Sequence, residues 1–205
     1  MAATTTNQKS DGREKRALID IPEIRMSGEG EERTAEGYAV LWDKDANIYN
    51  MWVESFSPGA FDESLSTRDV IALHSHDFAR IVGRKNAGTL TLRSDSKGLY
   101  FENQLPDTSD GRDLGKQIDR GDIAGMSFGF RAVKQEWDDS VDPPKRTITE
   151  AEIYEITYTA IPAYDDTEVG MRSLEKARTE LREHNKTGAS ARLRLRLRKA
   201  RAENE

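Results

Sequence analysis

The segment Gly125-Met126-Ser127-Phe128-Gly129-Phe130 constrains this chain more than any other. Residues two apart on a strand share a face, so a strand here sets Met126, Phe128 and Phe130 on one side. Gly125, Ser127 and Gly129 then line the other. The first side is an apolar wedge suited to a core. The second is bare backbone with one hydroxyl at its centre. A strand face with almost no side chains admits the close approach of another backbone. A nucleophilic serine needs that access, because the carbonyl it attacks must come within about 3 Å. A glycine-containing strand packed on a neighbour would show the same pattern, so the segment alone does not separate chemistry from packing.

Composition narrows the setting. A chain of 205 residues holds one domain with tails. Apolar residues make up 36% and charged residues 33%, enough for a core in the middle but not along the whole length. There is no cysteine, which excludes disulfides, thiol nucleophiles and thiolate metal sites. No apolar run nears the roughly 20 residues of a membrane span. Residues 1–10 lack the apolar centre of a signal peptide, so a soluble intracellular protein without a membrane partner is expected. Charge is unevenly placed: residues 171–205 carry 11 Lys and Arg against 5 Asp and Glu, and the remainder carries 20 against 32. An acidic body with a basic end points to an interaction tail.

The pattern along the chain gives three parts. Residues 1–17 are polar without periodicity and are expected to be disordered. Residues 18–172 form the folded domain. Strands are expected at Arg33–Trp42, Tyr49–Phe56, Asp69–Asp77, Ile81–Arg84, Thr89–Arg93, Gly98–Glu102, Ile123–Val133 and Thr147–Ala160. A short helix should follow Pro58-Gly59, and a second should span Gly111–Arg120 with Leu114 and Ile118 on one face. Gly121 is placed to end it. Residues 173–205 are the basic tail, with a helix over Ser173–Glu183 and a Leu/Arg alternation over Ala191–Lys199. The expected fold class is α+β and β-dominated, an antiparallel barrel-like body with a few helices outside and loosely ordered ends.

A serine becomes nucleophilic when a base takes its proton. The chain has three histidines: His74, His76 and His184. His184 lies in the polar tail. On a continuous strand His74 and His76 share a face, so alternation does not choose between them. Together they could hold a metal, but no third nitrogen donor stands in the body and the spacing of carboxylates demands no site, so no metal or cofactor is expected. Glu155 lies within an apolar and β-branched stretch, where a carboxylate needs a partner such as an imidazolium. Glu150 and Glu152 are nearer a polar loop and read as solvated.

Four motifs in order then carry a resemblance. They are Phe56-Ser57-Pro58-Gly59-Ala60-Phe61; Leu73-His74-Ser75-His76-Asp77 with Gly83-Arg84; Arg120-Gly121-Asp122-Ile123-Ala124 running into Gly125–Phe130; and Tyr154-Glu155-Ile156-Thr157 ending at Ile161-Pro162-Ala163. Over roughly residues 34–172 the chain resembles the tailed-phage (caudovirus) prohead protease family, which is similar in fold to the herpesvirus assemblins. The resemblance implies a serine endopeptidase that cleaves scaffold protein, or the scaffolding segment of the major capsid protein, and also itself. It implies Ser127 as nucleophile, His76 as general base because it precedes Asp77, and Glu155 as the orienting acid. Thr157 stands where serine is common in the family. By analogy with assemblins, amides of the Pro162-Ala163 turn would form the oxyanion hole, and a homodimer is allowed. The partners implied are capsid and scaffold proteins, and the place is the procapsid in the host cytoplasm; nucleic acid is not expected as a partner, because the arginine run of the tail has no interleaved aromatics. The alternative is a non-enzymatic capsid-assembly protein built on a protease-derived body.

Overall fold

The apolar wedge read from the sequence is the centre of the core. Met126, Phe128 and Phe130 are all buried, and Phe56 meets the rings of Phe128 and Phe130 edge-on at 5.3 and 5.1 Å between centroids. Such offset and T-shaped contacts suit the quadrupoles of the rings. The structure is a computed structural model that describes residues 12–17, 24–160, 174–176 and 178–179.

In chain order the elements are β1 (Glu14–Ala17), β2 (Arg25–Ser27), a 3-10 turn (Gly30–Glu32), β3 (Thr34–Leu41), β4 (Ala46–Ile48), β5 (Trp52–Phe56), α1 (Asp62–Thr67), β6 (Ile71–His74), β7 (Asp77–Arg84), β8 (Leu90–Ser94), β9 (Gly98–Gln104), α2 (Ser109–Asp119), β10 (Gly125–Asp138) and β11 (Lys145–Thr159). One sheet runs β1-β10-β11-β5-β4, with β6 also on β11 and β7 on β6. The second, antiparallel, runs β2-β3-β9-β8. Buried side chains of both sheets and of α2 join one core. The β-dominated α+β class is as expected. The sheets do not close into a barrel, and the larger is mixed, because β5 and β6 lie parallel to the two ends of the long β11. The helix expected at Gly111–Arg120 is α2, capped by the Thr108 side chain on the Gly111 amide. Gly121 follows it at φ 77°, the left-handed ending that glycine permits.

Two expectations fail in ways that matter. The strand expected over Asp69–Asp77 stops at His74. Ser75 and His76 are left-handed, at φ 56° and 57°, and form a two-residue turn that pairs His74 with Asp77. Positive φ at both central residues matches the twist of a hairpin, but Asn-Gly or Asp-Gly usually supplies it. Residues 12–17, expected to be disordered, are placed, and Glu14–Ala17 pairs antiparallel with β10. Its order comes from ion pairs to residues 38 and 132 positions away, which no local pattern displays.

The chain divides into units Met1–Thr167 and Glu168–Glu205. In the second, residues 174–176 and 178–179 are helical, and the Thr179 hydroxyl donates to the Glu175 carbonyl. The rest of the helix expected at 173–183, and the Leu/Arg stretch, lie outside the described residues.

Candidate active site

Ser127 lies on β10 opposite Thr157 of β11, and Gly129 lies opposite Glu155. Equal registers put Ser127 and Glu155 close together on adjoining strands. The third side chain comes from the β6–β7 turn, which β11 holds down. The Ser75 amide donates to the Tyr158 carbonyl at 2.9 Å. The His76 amide donates to the Thr157 hydroxyl at 2.9 Å, and that hydroxyl donates to the Leu73 carbonyl at 3.0 Å. The turn thereby swings the His76 ring between the other two groups. His76 Nε2 is 2.8 Å from Ser127 Oγ, and His76 Nδ1 is 2.7 Å from Glu155 Oε1.

This order has definite chemical capacity. A carboxylate on Nδ1–H fixes the tautomer whose Nε2 lone pair can take the Ser127 proton when the hydroxyl turns from the Arg16 carbonyl, to which it donates at 2.7 Å. The same carboxylate stabilises the imidazolium that forms when Nε2 takes a proton. Glu155 is buried, and its Oε2 has no hydrogen-bond partner among the described residues. A buried carboxylate with one polar partner is costly to leave alone, so the ring and the acid hold each other.

The bare face has a different use from the one its sequence suggests. A Cβ built on Gly129 would stand 2.8 Å from Glu155 Oε1 and 3.1 Å from its Cγ. The missing side chain makes room for the carboxylate. Another backbone does approach, but at the edge of β10 rather than over its face: the Ser127 hydroxyl donates to the Arg16 carbonyl oxygen on β1 at 2.7 Å.

His74 and His76 do not share a face. His74 is buried at the end of β6, its Nδ1 without a hydrogen-bond partner among the described residues. Burial first, and then Arg80, hold its pKa below the usual histidine range. Glu152 pairs with Arg68 and Arg131, and Glu150 with Lys134, so neither joins the relay. Residues 162 and 163 lie outside the described residues. Among those described, no group of three or more His, Asp or Glu is arranged to hold a metal ion, and no helix is long and apolar enough to cross a membrane.

Sequence reasoning missed two features of the site. One is the Thr157 hydroxyl, which positions the turn; a serine would offer the same donor and acceptor. The other is the buried pair Glu54 and Arg146, whose Oε2 and Nη1 are 2.7 Å apart. Glu54 sits in the apolar run Trp52–Phe56, and the reasoning that singled out Glu155 there applies equally to it.

Comparison with known proteins agrees with the motifs. A sequence model of the caudovirus prohead serine protease family matches residues 20–181. The prohead protease of Enterobacteria phage HK97 is 30% identical over 174 residues, covering 80% of this chain and 72% of that protein. The prohead protease of Escherichia phage T5 is 28% identical over 99 residues, covering 48% and 44%. Among solved structures, the capsid assembly protease of bacteriophage T4 aligns with a TM-score of 0.42 at 11% identity, covering 71% of this chain and 98% of the other. On the family match and the HK97 relative, the chain belongs to the caudovirus prohead serine proteases.

Proposed function

We propose that the chain is a serine endopeptidase of procapsid maturation, with Ser127 as nucleophile, His76 as general base and Glu155 as the acid that orients it. The observation that carries this reading is the continuous relay from Ser127 Oγ through the His76 ring to Glu155 Oε1, at 2.8 and 2.7 Å. As Oγ attacks a peptide carbonyl carbon, His76 Nε2 takes its proton. Glu155 holds the resulting imidazolium through Nδ1–H. The Nε2 proton then passes to the leaving amine, and an ester remains on Ser127. Water, deprotonated by His76, hydrolyses that ester and restores the hydroxyl.

The prohead names of the relatives support a substrate within the immature capsid: scaffold protein, or the scaffolding segment of the major capsid protein. The chain would act there, in the host cytoplasm, on its assembly partners and on itself. Co-expression with the major capsid protein, followed by intact-mass measurement, tests this. The expected product is a capsid protein trimmed at one defined bond, with Ser127→Ala leaving it whole at an unchanged unfolding midpoint. A capsid protein left whole by the wild-type chain would favour the non-enzymatic assembly role.

A further inference from the structure

We propose that Glu14–Ala17 is the chain's own substrate, seated for cleavage of the Arg16–Ala17 bond. In the same proposal, Glu54 and Arg146 select an acidic residue two positions before a basic one at the cleavage point. The inference rests on the serine-peptidase reading and names the substrate class of that site.

The seating is seen in the backbone first. The Ser127 hydroxyl donates to the Arg16 carbonyl oxygen at 2.7 Å. A C=O bond of about 1.23 Å puts the carbon of that peptide no more than about 4 Å from Oγ, so the bond lies beside the nucleophile and reaches an attacking distance once the hydroxyl turns to His76 Nε2 and the carbon closes in. β1 lies antiparallel along the edge of β10, with Arg16 opposite Phe128 and Ala17 opposite Ser127. Extended peptides dock to enzymes and binding domains by the same strand addition. Ser127 is 0% exposed, and β1 is one of the elements that lie against it.

The side chains then show what the groove reads. Glu14 and Arg16 alternate onto the face shared with Phe128 and Phe130, and both are buried. Arg16 Nε is 2.6 Å from Glu54 Oε1. Arg146 Nη1 and Nη2 are 2.7 and 2.8 Å from the two carboxylate oxygens of Glu14. Glu14 and Arg16 also pair with each other at 2.6 Å. All four side chains are 3% exposed or less. The receiving half is paired without β1: Arg146 bonds Glu54 and Gln135, and the Trp52 indole donates to Glu54. The groove therefore keeps a matched pair when the segment leaves. An incoming peptide that brings one charge and not its complement leaves a buried charge short of a partner.

The step balances within the chain. Ser127 Oγ bonds to the Arg16 carbonyl carbon, and its proton goes to His76 Nε2. The Arg16–Ala17 C–N bond breaks, and that proton goes to the Ala17 nitrogen. Water hydrolyses the Arg16 ester, giving a fragment ending in an Arg16 carboxylate and a chain beginning with the Ala17 amine.

The test follows the full chain by intact mass, alongside a synthetic peptide spanning residues 12–19. Wild type should accumulate the chain that begins at Ala17, and Ser127→Ala should not. Glu14→Gln with Arg16→Gln should slow self-cleavage at least about tenfold. The same double variant should cut the added wild-type peptide no more slowly than wild type does, because its groove is unchanged. The peptide carrying both Gln substitutions should be cut at least about tenfold more slowly than the wild-type peptide. A merely structural strand would instead lower both activities of the double variant together, which overturns the proposal. Self-cleavage at another bond, or equal cutting of the two peptides, also overturns it. A chain that trims capsid protein but leaves Arg16–Ala17 whole refutes this inference alone. One that cuts neither refutes the peptidase reading with it.

Discussion

Gly129 shows how a residue with no side chain shapes a site. Its Cβ position stands 2.8 Å from Glu155 Oε1, nearer than two unbonded atoms tolerate, so any side chain there moves the carboxylate away from His76. Gly129→Ala should therefore lower kcat for capsid-protein cleavage by about tenfold or more with KM nearly unchanged, and should also lower the unfolding midpoint, because the buried carboxylate loses its one partner. Steady-state kinetics beside thermal unfolding check this, and an unaltered kcat would show that Glu155 does not need its present place. The residue pattern singled out Ser127 and Glu155 as candidates, a hydroxyl on a bare face and a charge in an apolar strand, and the resemblance supplied the roles proposed for them. His76 was legible through its motif. Alternation misplaced it beside His74 because Ser75-His76 carries no turn signature, and the tie that makes the turn is the Thr157 hydroxyl from 81 residues away.

At the scale of elements, strong local patterns transferred well. β3, β8, β9 and α2 lie where alternation and capping residues put them. β1 did not, because Glu-Lys-Arg-Ala has no apolar pattern and gains its order from Glu54 and Arg146. That origin predicts a pH dependence. Burial acts to raise the Glu54 carboxyl, but the guanidinium groups of Arg16 and Arg146 outweigh it and hold it below its ordinary value of 4.5. A folded-state pKa below the unfolded one gives stability that is full above the unfolded value and is lost as pH falls through the folded one. The groups facing Glu54 are Arg16 and Glu14 from β1, Arg146 from β11 and Trp52 on its own strand. Measured in the uncleavable Ser127→Ala background, Arg16→Gln should lower the unfolding midpoint by a constant amount above pH 4.5. The difference should shrink as pH drops below that value. A difference that widened toward acid would contradict the ion-pair account.

Across the whole molecule, the relay joins residues 76, 127 and 155, from a turn and two strands, so it exists only when the larger sheet is assembled. The family match over residues 20–181 spans all three. The sheet pairing that brings them together was not legible: nothing in the residue pattern announces that β5 and β6 share the long β11. Nor was the placing of β1 against Ser127. The central claim is that Ser127 and His76 act as one chemical unit. Cleavage rates on purified capsid protein for Ser127→Ala, His76→Ala and the double variant test it most directly. Members of one unit lose together, so the double variant should be no slower than either single one, all falling by about 10⁴-fold or more. Losses that multiply in the double variant, or wild-type cleavage by Ser127→Ala, would contradict the account.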